Sequence, residues 1–333
     1  MNKNTRFASL LLSALITTIA IQKVALSQNS ARYYFHRGNI YAEQDNLQQA
    51  IESYTRAIEL NPDYFITYFK RGVAYRDQGD FGKAIQDFSK AIELNPAFSN
   101  SYLSRGYSYQ QQGNLEKALQ DYNQAIEMSL NDYRAYFNRG NIYKQQGNLE
   151  KALQDYNQAI ELNPIFPSAY LNRGVIYERQ GNLEKALQDY NQAIEMSLND
   201  YRAYFNRGNI YKQQGNLEKA LQDYNQAIEI NPNYYAAYTM RGGIHSLQGN
   251  FEKALQDCNK AIELNSNNAE AYSIRGITVY LQQRNKQKAI EILEKAANLF
   301  QEQGQEEKYR EVKKFINYIL NDIPLPDPIG TPA

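Results

Sequence analysis

NDYRAYFNRGNIYKQQGNLEKALQDYNQAIELNP, residues 131–164, is the stretch whose reading decides the fold. Its Arg-Gly pair at 139/140 recurs at 37/38, 71/72, 105/106, 173/174, 207/208, 241/242 and 275/276, always 34 residues apart. A tyrosine stands three places before each Arg, as Tyr136 does here, from Tyr34 to Tyr272. Another stands three places after the Gly, as Tyr143 does, until His245 and Val279 replace it in the last two repeats. Spacings of three, four and seven put these side chains on one helical face. Gly-Asn or Gly-Asp at 79/80, 113/114, 147/148, 181/182, 215/216 and 249/250 then ends one helix and starts another. Glycine supplies the left-handed backbone of the stop, and Asn or Asp caps the next start. In the second helix small Ala152 and Ala159 flank aromatic Tyr156, and Asn-Pro at 163/164 closes the period, as it does at 61/62, 95/96 and 231/232. A fixed period of this length belongs to a stack of helical hairpins, each burying its apolar face against its neighbours.

Composition narrows the function. The 333 residues carry 36 basic and 36 acidic side chains, without the basic excess of a nucleic-acid binder. Cys258 is the single cysteine, so neither an internal disulfide nor a thiolate metal cluster can form. With His36 and His245 the only histidines, no metal site is expected, and no cofactor either. There is no Gly-rich phosphate loop or nucleophile elbow, and the repeats leave no segment long enough for a catalytic domain. The expectation is a protein that is not an enzyme.

Residues 1–27 read differently from the rest. Lys3 and Arg6 precede an uncharged, largely apolar run from Phe7 to Ile21, and Ala25-Leu26-Ser27 then offers small residues at the spacing of a signal-peptidase site. A cleaved signal peptide is expected, with export to a periplasm, a lumen or the exterior and only transient membrane contact. The alternative is an N-terminal membrane anchor, but the run is shorter than the ~20 residues that span a bilayer. Cleavage would leave 33 basic against 36 acidic residues.

On these residues the chain resembles the tetratricopeptide repeat family over about residues 31–302. The resemblance implies an all-α fold, a right-handed superhelical solenoid of antiparallel helical hairpins. Its eight units fall at 31–64, 65–98, 99–132, 133–166, 167–200, 201–234, 235–268 and 269–302. A capping helix over 303–320 follows, with Tyr309, Val312, Phe315, Ile316 and Ile319 at helical spacing, and then a Pro-rich tail, 321–333, expected to lack fixed structure. Two departures stand out. Arg replaces the family's usual Leu before the glycine, and in the eighth unit Ala289 comes one place late, which puts an extra residue near Gln282–Asn285. Because Asp87, Asp121, Asp155, Asp189, Asp223 and Asp257 recur on the second helices, each Arg is expected to form a structural ion pair; a ladder presented to an anionic ligand is the alternative.

In this family the first helices line a concave surface that holds ligands. The resemblance therefore implies a peptide-binding groove built from Phe137, Asn138, Asn141, Lys144, Leu171, Asn172, Phe205, Asn206, Asn209 and Lys212. Chaperone-tail adaptors of the family clamp a carboxylate with Lys and Asn four apart, but Phe35, Phe69, Phe137 or Phe205 stands at the Lys position here. Asn138, Asn172 and Asn206 instead look like the asparagine ladder in the repeat domain of O-linked N-acetylglucosamine transferase; an Asn amide both donates to and accepts from a peptide backbone. Residues 112–164 recur as 180–232 with one change, Leu162 to Ile230. Arg134, Phe137, Asn138, Asn141 and Lys144 thus reappear as Arg202, Phe205, Asn206, Asn209 and Lys212, either as two sites ~20 Å apart for one ligand or as simple lengthening of the array. The expected function is a non-catalytic scaffold that binds an extended peptide or protein partner, without nucleic acid or metal, in assembly of an envelope or membrane complex. A self-associating structural protein is the alternative, and a substrate-capture part of a transferase is a more distant one.

Overall fold

The computed structural model describes residues 29–323; the expected signal segment and the tail from Pro324 onward lie outside the described residues. Among the described residues there are seventeen helices and no strand. They form two compact units that divide after Pro164. Unit 1 holds α1 (29–43), α2 (Leu47–Leu60), α3 (Phe65–Asp77), α4 (Phe81–Leu94), α5 (Ser99–Gln111), α6 (Leu115–Met128), α7 (Tyr133–Gln145) and α8 (Leu149–Leu162). Unit 2 holds α9 (Pro167–Arg179), α10 (Leu183–Met196), α11 (Tyr201–Gln213), α12 (Leu217–Ile230), α13 (Tyr235–Leu247), α14 (Phe251–Leu264), α15 (Ala269–Gln283), α16 (Lys286–Glu302) and α17 (Glu306–Leu320). Within each unit a helix packs on the one before it and the one after it, as consecutive antiparallel hairpins.

The α7–α8 hairpin shows how the period builds this. Gly147 takes φ +78°, so the Asn148 amide turns back to donate to Tyr143 O at 2.8 Å. The Asn148 side chain then accepts from Lys151 N and caps α8. Gly140 serves a different end. A Cβ there would stand 2.9 Å from Tyr156 Cε1, so only glycine lets α7 approach the fully buried tyrosine of α8. Ala135, Ala152 and Ala159 are wholly buried around the same ring.

The arginines are structural. In each of the six repeats that carry the aspartate, Arg Nε and Nη2 donate to both carboxylate oxygens at 2.6–2.9 Å. Nη1 reaches the preceding hairpin, to Thr55, Ser89, Asn123, Asn191 or Asn225. In five of the six the guanidinium also lies over two tyrosines, in Arg139 at 5.6 Å from Tyr136 and 5.9 Å from Tyr143, while Arg241 has Tyr238 alone. The aspartates are 4–6% exposed. Burial raises the carboxyls of Asp87, Asp121 and Asp189 above the usual range, while the hydrogen bonds from their arginines oppose that rise.

The eighth hairpin breaks the pattern where the sequence places an extra residue. Helix α15 runs two residues longer than α13, 15 against 13, and ends at Arg284 with φ +53°. The shift puts Ile292 where aspartate stands in other repeats and Leu293 where the aromatic stands. Arg275 accordingly keeps only its bond to Asn259, and its buried Nε has no partner among the described residues. Helix α17 covers the exposed face of α16 through Val312, Ile316 and Ile319, with Tyr309 and Phe315 at the edge of the same core.

Candidate peptide-binding face

The ten groove residues divide by their place relative to the arginine. Phe137, Leu171 and Phe205 stand two before it; Phe137 and Phe205 are half-buried, and Phe205 also lines a hollow of unit 2. Leu171 is 4% exposed and belongs to the core. Phe137 lies against Tyr156 with ring centroids 5.8 Å apart, and Phe205 repeats this with Tyr224 while meeting Tyr234 edge-on at 5.0 Å. Of the three, Leu171 alone is closed off from a ligand. The position meets the second-helix aromatic of its own hairpin and, for Phe205, an aromatic in the next inter-repeat turn.

Asn141 and Asn209, two after the arginine, accept a hydrogen bond at 2.7 Å from the hydroxyls of Tyr156 and Tyr224. Their acceptor oxygens are thereby committed within the protein. Asn138, Asn172 and Asn206 are half-buried, one before the arginine, with Asn138 in unit 1 and the other two in unit 2. Asn206 neighbours the Tyr190 hydroxyl, which donates to Glu178 at 2.6 Å. Burial foremost, then Glu178, pushes the Tyr190 hydroxyl far upward, and Asn206 opposes the shift. Glu178 was not singled out from sequence; its signal was the Glu at the place where neighbouring repeats carry Lys144 and Lys212. Lys144 is half-buried, and Lys212 is exposed, with Nζ 3.1 Å from Met240 Sδ.

Lys212 leads to the feature that the sequence reading missed. A cleft of about 650 Å³ opens in unit 2 between α11, α13 and α15. Its walls are Met240, Leu247, Ile274, Ile277 and Leu281, and its rim carries one base, Lys212, and one acid, Glu270. Three of these side chains occupy the same repeat positions as the asparagines: Asn206 becomes Met240 and Ile274, while Asn209 becomes Gly243 and Ile277. Where units five and six present amides, seven and eight present hydrocarbon.

The hollow follows from small residues beneath it. Gly243 and Ser246 replace Asn209 and Lys212, so α15 comes close to α13 and Ile274 Cδ1 lies 3.4 Å from where a Gly243 Cβ would be. The polar groups of this floor satisfy one another. Ser246 and Thr278 hydroxyls meet at 2.8 Å, Thr278 donates to Ile274 O, and the Asn268 amide donates to Thr239 at 2.7 Å. A second hollow of about 420 Å³ shares Thr239, Met240 and Glu270 with the cleft and extends toward Asn267, Gln303 and Lys308. The cleft's volume is that of a ligand site, and its lining suits burial of large apolar side chains beside a few polar groups. Among the described residues no group of three His, Cys, Asp or Glu side chains could hold a metal, and no helix is long and apolar enough to cross a membrane.

Comparison with known proteins agrees with this architecture. Among solved structures, a tetratricopeptide repeat protein from Parabacteroides merdae is 24% identical, covering 77% of this chain and 98% of its own, with a TM-score of 0.53. PilF of Pseudomonas aeruginosa is 15% identical over 62% of this chain and 94% of its own, with a TM-score of 0.58. The Cut9–Hcn1 hetero-tetramer of the APC/C gives 15% identity over 82% of this chain and 52% of that chain, with a TM-score of 0.60. At these identities the likeness is one of fold. No curated protein matches the sequence. Sequence models of the TPR repeat match residues 38–79, 74–113, 106–147 and 140–181, and those of the tetratricopeptide repeat match 167–200, 201–234, 235–268 and 269–303. Repeats matched from residue 38 to 303 and hairpins packed in sequence make this chain a member of the tetratricopeptide repeat family.

Proposed function

We propose that the chain is a non-catalytic scaffold that holds an extended peptide or a segment of a partner protein on its first-helix face, with the cleft of unit 2 as the main docking point. Repeats of this family typically mediate protein–protein interaction. The observation that carries the reading is the cleft itself, apolar on its walls and self-satisfied on its floor. Water gains little there, whereas two large apolar side chains of a ligand would each contribute about 1.5–3 kcal/mol on burial. Glu178, Asn206 and Lys212 then offer polar groups beyond its edge. In this reading the protein acts outside the cytoplasm, in assembly of an envelope or membrane complex, which rests on the signal-like residues 1–27.

Selection from a displayed peptide library tests this. The expected binders carry two large apolar residues a few positions apart, and Ile277→Glu, which leaves the helical fold intact by circular dichroism, abolishes their retention. Retention unchanged in that variant would overturn the reading. A second reading, self-association, is favoured by the exposure of Tyr33 and Ile40 on α1 and of Leu130 and Leu198 in inter-repeat turns. Sedimentation as a concentration-independent monomer would remove it.

A further inference from the structure

The first repeat lacks what later repeats receive from the hairpin before them. In those repeats the side chains four before and three after the arginine are at most 2% exposed, from Thr67 and Ala74 to Ala271 and Thr278. Within each unit the second helix of the preceding hairpin covers them, as α6 covers Ala135 and Ile142 of α7. Tyr33 and Ile40 hold these positions on α1, and they are 61% and 54% exposed. With Arg37 between them they form one stripe along the helix, at spacings of four and three. Arg37 is short of a partner too. Sixteen residues on, where six repeats carry aspartate, stands Ser53, whose side chain ends before a carboxyl group would begin. A hollow of about 220 Å³ remains between α1 and α2, lined by Tyr34, Arg37, Tyr41, Gln49, Ser53 and Arg56. Arg56 is held by Glu59, and Glu52 beside the same hollow accepts from Gln48. Arg37 donates to the Tyr41 hydroxyl at 3.1 Å and has no carboxylate partner among the described residues. The eighth repeat has lost its aspartate as well, but there buried Ile292 fills the place with hydrocarbon. The first repeat instead leaves room for a carboxylate from another molecule.

We propose that the open face of α1 docks a helix of a partner protein, laid where the preceding second helix lies in later repeats. An apolar stripe of that helix packs on Tyr33 and Ile40, and an Asp or Glu side chain on it takes Arg37. This surface belongs to unit 1 and the cleft to unit 2, so the two are separate sites. A helix suits the face because apolar anchors seven residues apart are the spacing that helices use when they dock on one another. An acid suits Arg37 because the guanidinium fork matches a carboxylate, as six later repeats show at 2.6–2.9 Å. The chain's own preceding residues do not supply that group, since residues 1–28 contain no Asp or Glu.

A labelled, helix-stapled peptide of α6, Leu115–Met128, serves as the probe in two forms, as it stands and with Asn123→Asp. Asn123 is the residue of α6 that accepts from Arg139, so the substitution puts a carboxylate where a docked helix meets the arginine. Fluorescence anisotropy against the full chain is expected to show saturable binding, at least ~10-fold tighter for the Asp form. Arg37→Gln should remove that preference and leave the weaker binding, and Ile40→Asp should abolish both; circular dichroism verifies that each variant keeps its helices. Equal affinity of the two forms, a preference that survives Arg37→Gln, or no binding at all overturns the proposal. So does binding lost in Ile277→Glu, which would place the peptide in the cleft. Displacement of the Asp form by inorganic phosphate, with indifference to Ile40→Asp, would make the hollow a free-oxyanion site and overturn the docked helix. Sedimentation of the chain alone as a dimer that Arg37→Gln dissociates would make a second copy the occupant, and it too overturns the proposal.

Discussion

Arg139 joins three helices at once: it sits on α7, holds both oxygens of Asp155 on α8, and reaches Asn123 on α6. Its chemistry explains why the repeat carries Arg where a hydrocarbon side chain would also fill space. The planar fork matches a carboxylate and leaves a third nitrogen for the neighbouring hairpin. Such a pair adds little over apolar packing, because both partners lose hydration, but half of it is costly. Arg139→Met is therefore expected to destabilise the α7–α8 hairpin by about 3–5 kcal/mol, since Asp155, 4% exposed, would keep a buried charge without its partner. The double variant Arg139→Met/Asp155→Leu should recover most of that loss. Native-state hydrogen exchange of α7 and α8 amides measures both; equal protection losses in single and double variants would contradict this account. Arg275 is the natural counterpart, an arginine that has already lost its aspartate to Ile292.

At the scale of the element, helices and their ends were legible because period, cap and turn all point the same way. Gly147 and Asn148 state a stop and a start, and Ala289, one place late, signals the longer α15. The side chains that bind were less legible. Whether Phe137 or Asn138 faces outward depends on how far the next element leans over the helix, and a 34-residue period is silent about that lean. The cleft was hidden for a related reason: Met240, Ile274 and Ile277 are apolar residues on helices, and such residues read as core. Only their alignment with Asn206 and Asn209 marks them as surface. The capping helix can be tested at this scale. Ile316→Asp places a carboxylate where Ile316 is 4% exposed between α16 and α17, and a loss of roughly 2–5 kcal/mol in their packing is expected. Limited proteolysis should then cut near Gly304, where the backbone takes φ +68°, while α13 amides stay protected. Resistance at Gly304 equal to that of the unaltered chain would mean that α17 is not held by this face.

For the whole molecule, the recurring aromatic of the second helices is the common element of stability, and it carries a titratable group. Burial foremost pushes the hydroxyl of Tyr54 up to about 12, and those of Tyr122, Tyr156, Tyr190 and Tyr224 higher still. Each is a group whose folded form holds its proton more tightly than the unfolded chain, where tyrosine ionises near ~10. The sign is therefore fixed. The stability these residues contribute is fully present below about pH 10 and is lost as pH rises through the folded values, by about 1.4 kcal/mol per pH unit for each group. Cys258, which takes the tyrosine's place in the seventh repeat, behaves alike, its thiol pushed up to about 12 by burial and by Asp257. Several such groups acting together make alkaline unfolding steep. The five buried tyrosines cannot ionise until their hairpins open. Absorbance at ~295 nm and ellipticity at ~222 nm followed along one pH titration should show a tyrosinate phase that coincides with loss of helix. Full ionisation with the helical signal intact would mean that these hydroxyls reach water from the folded state.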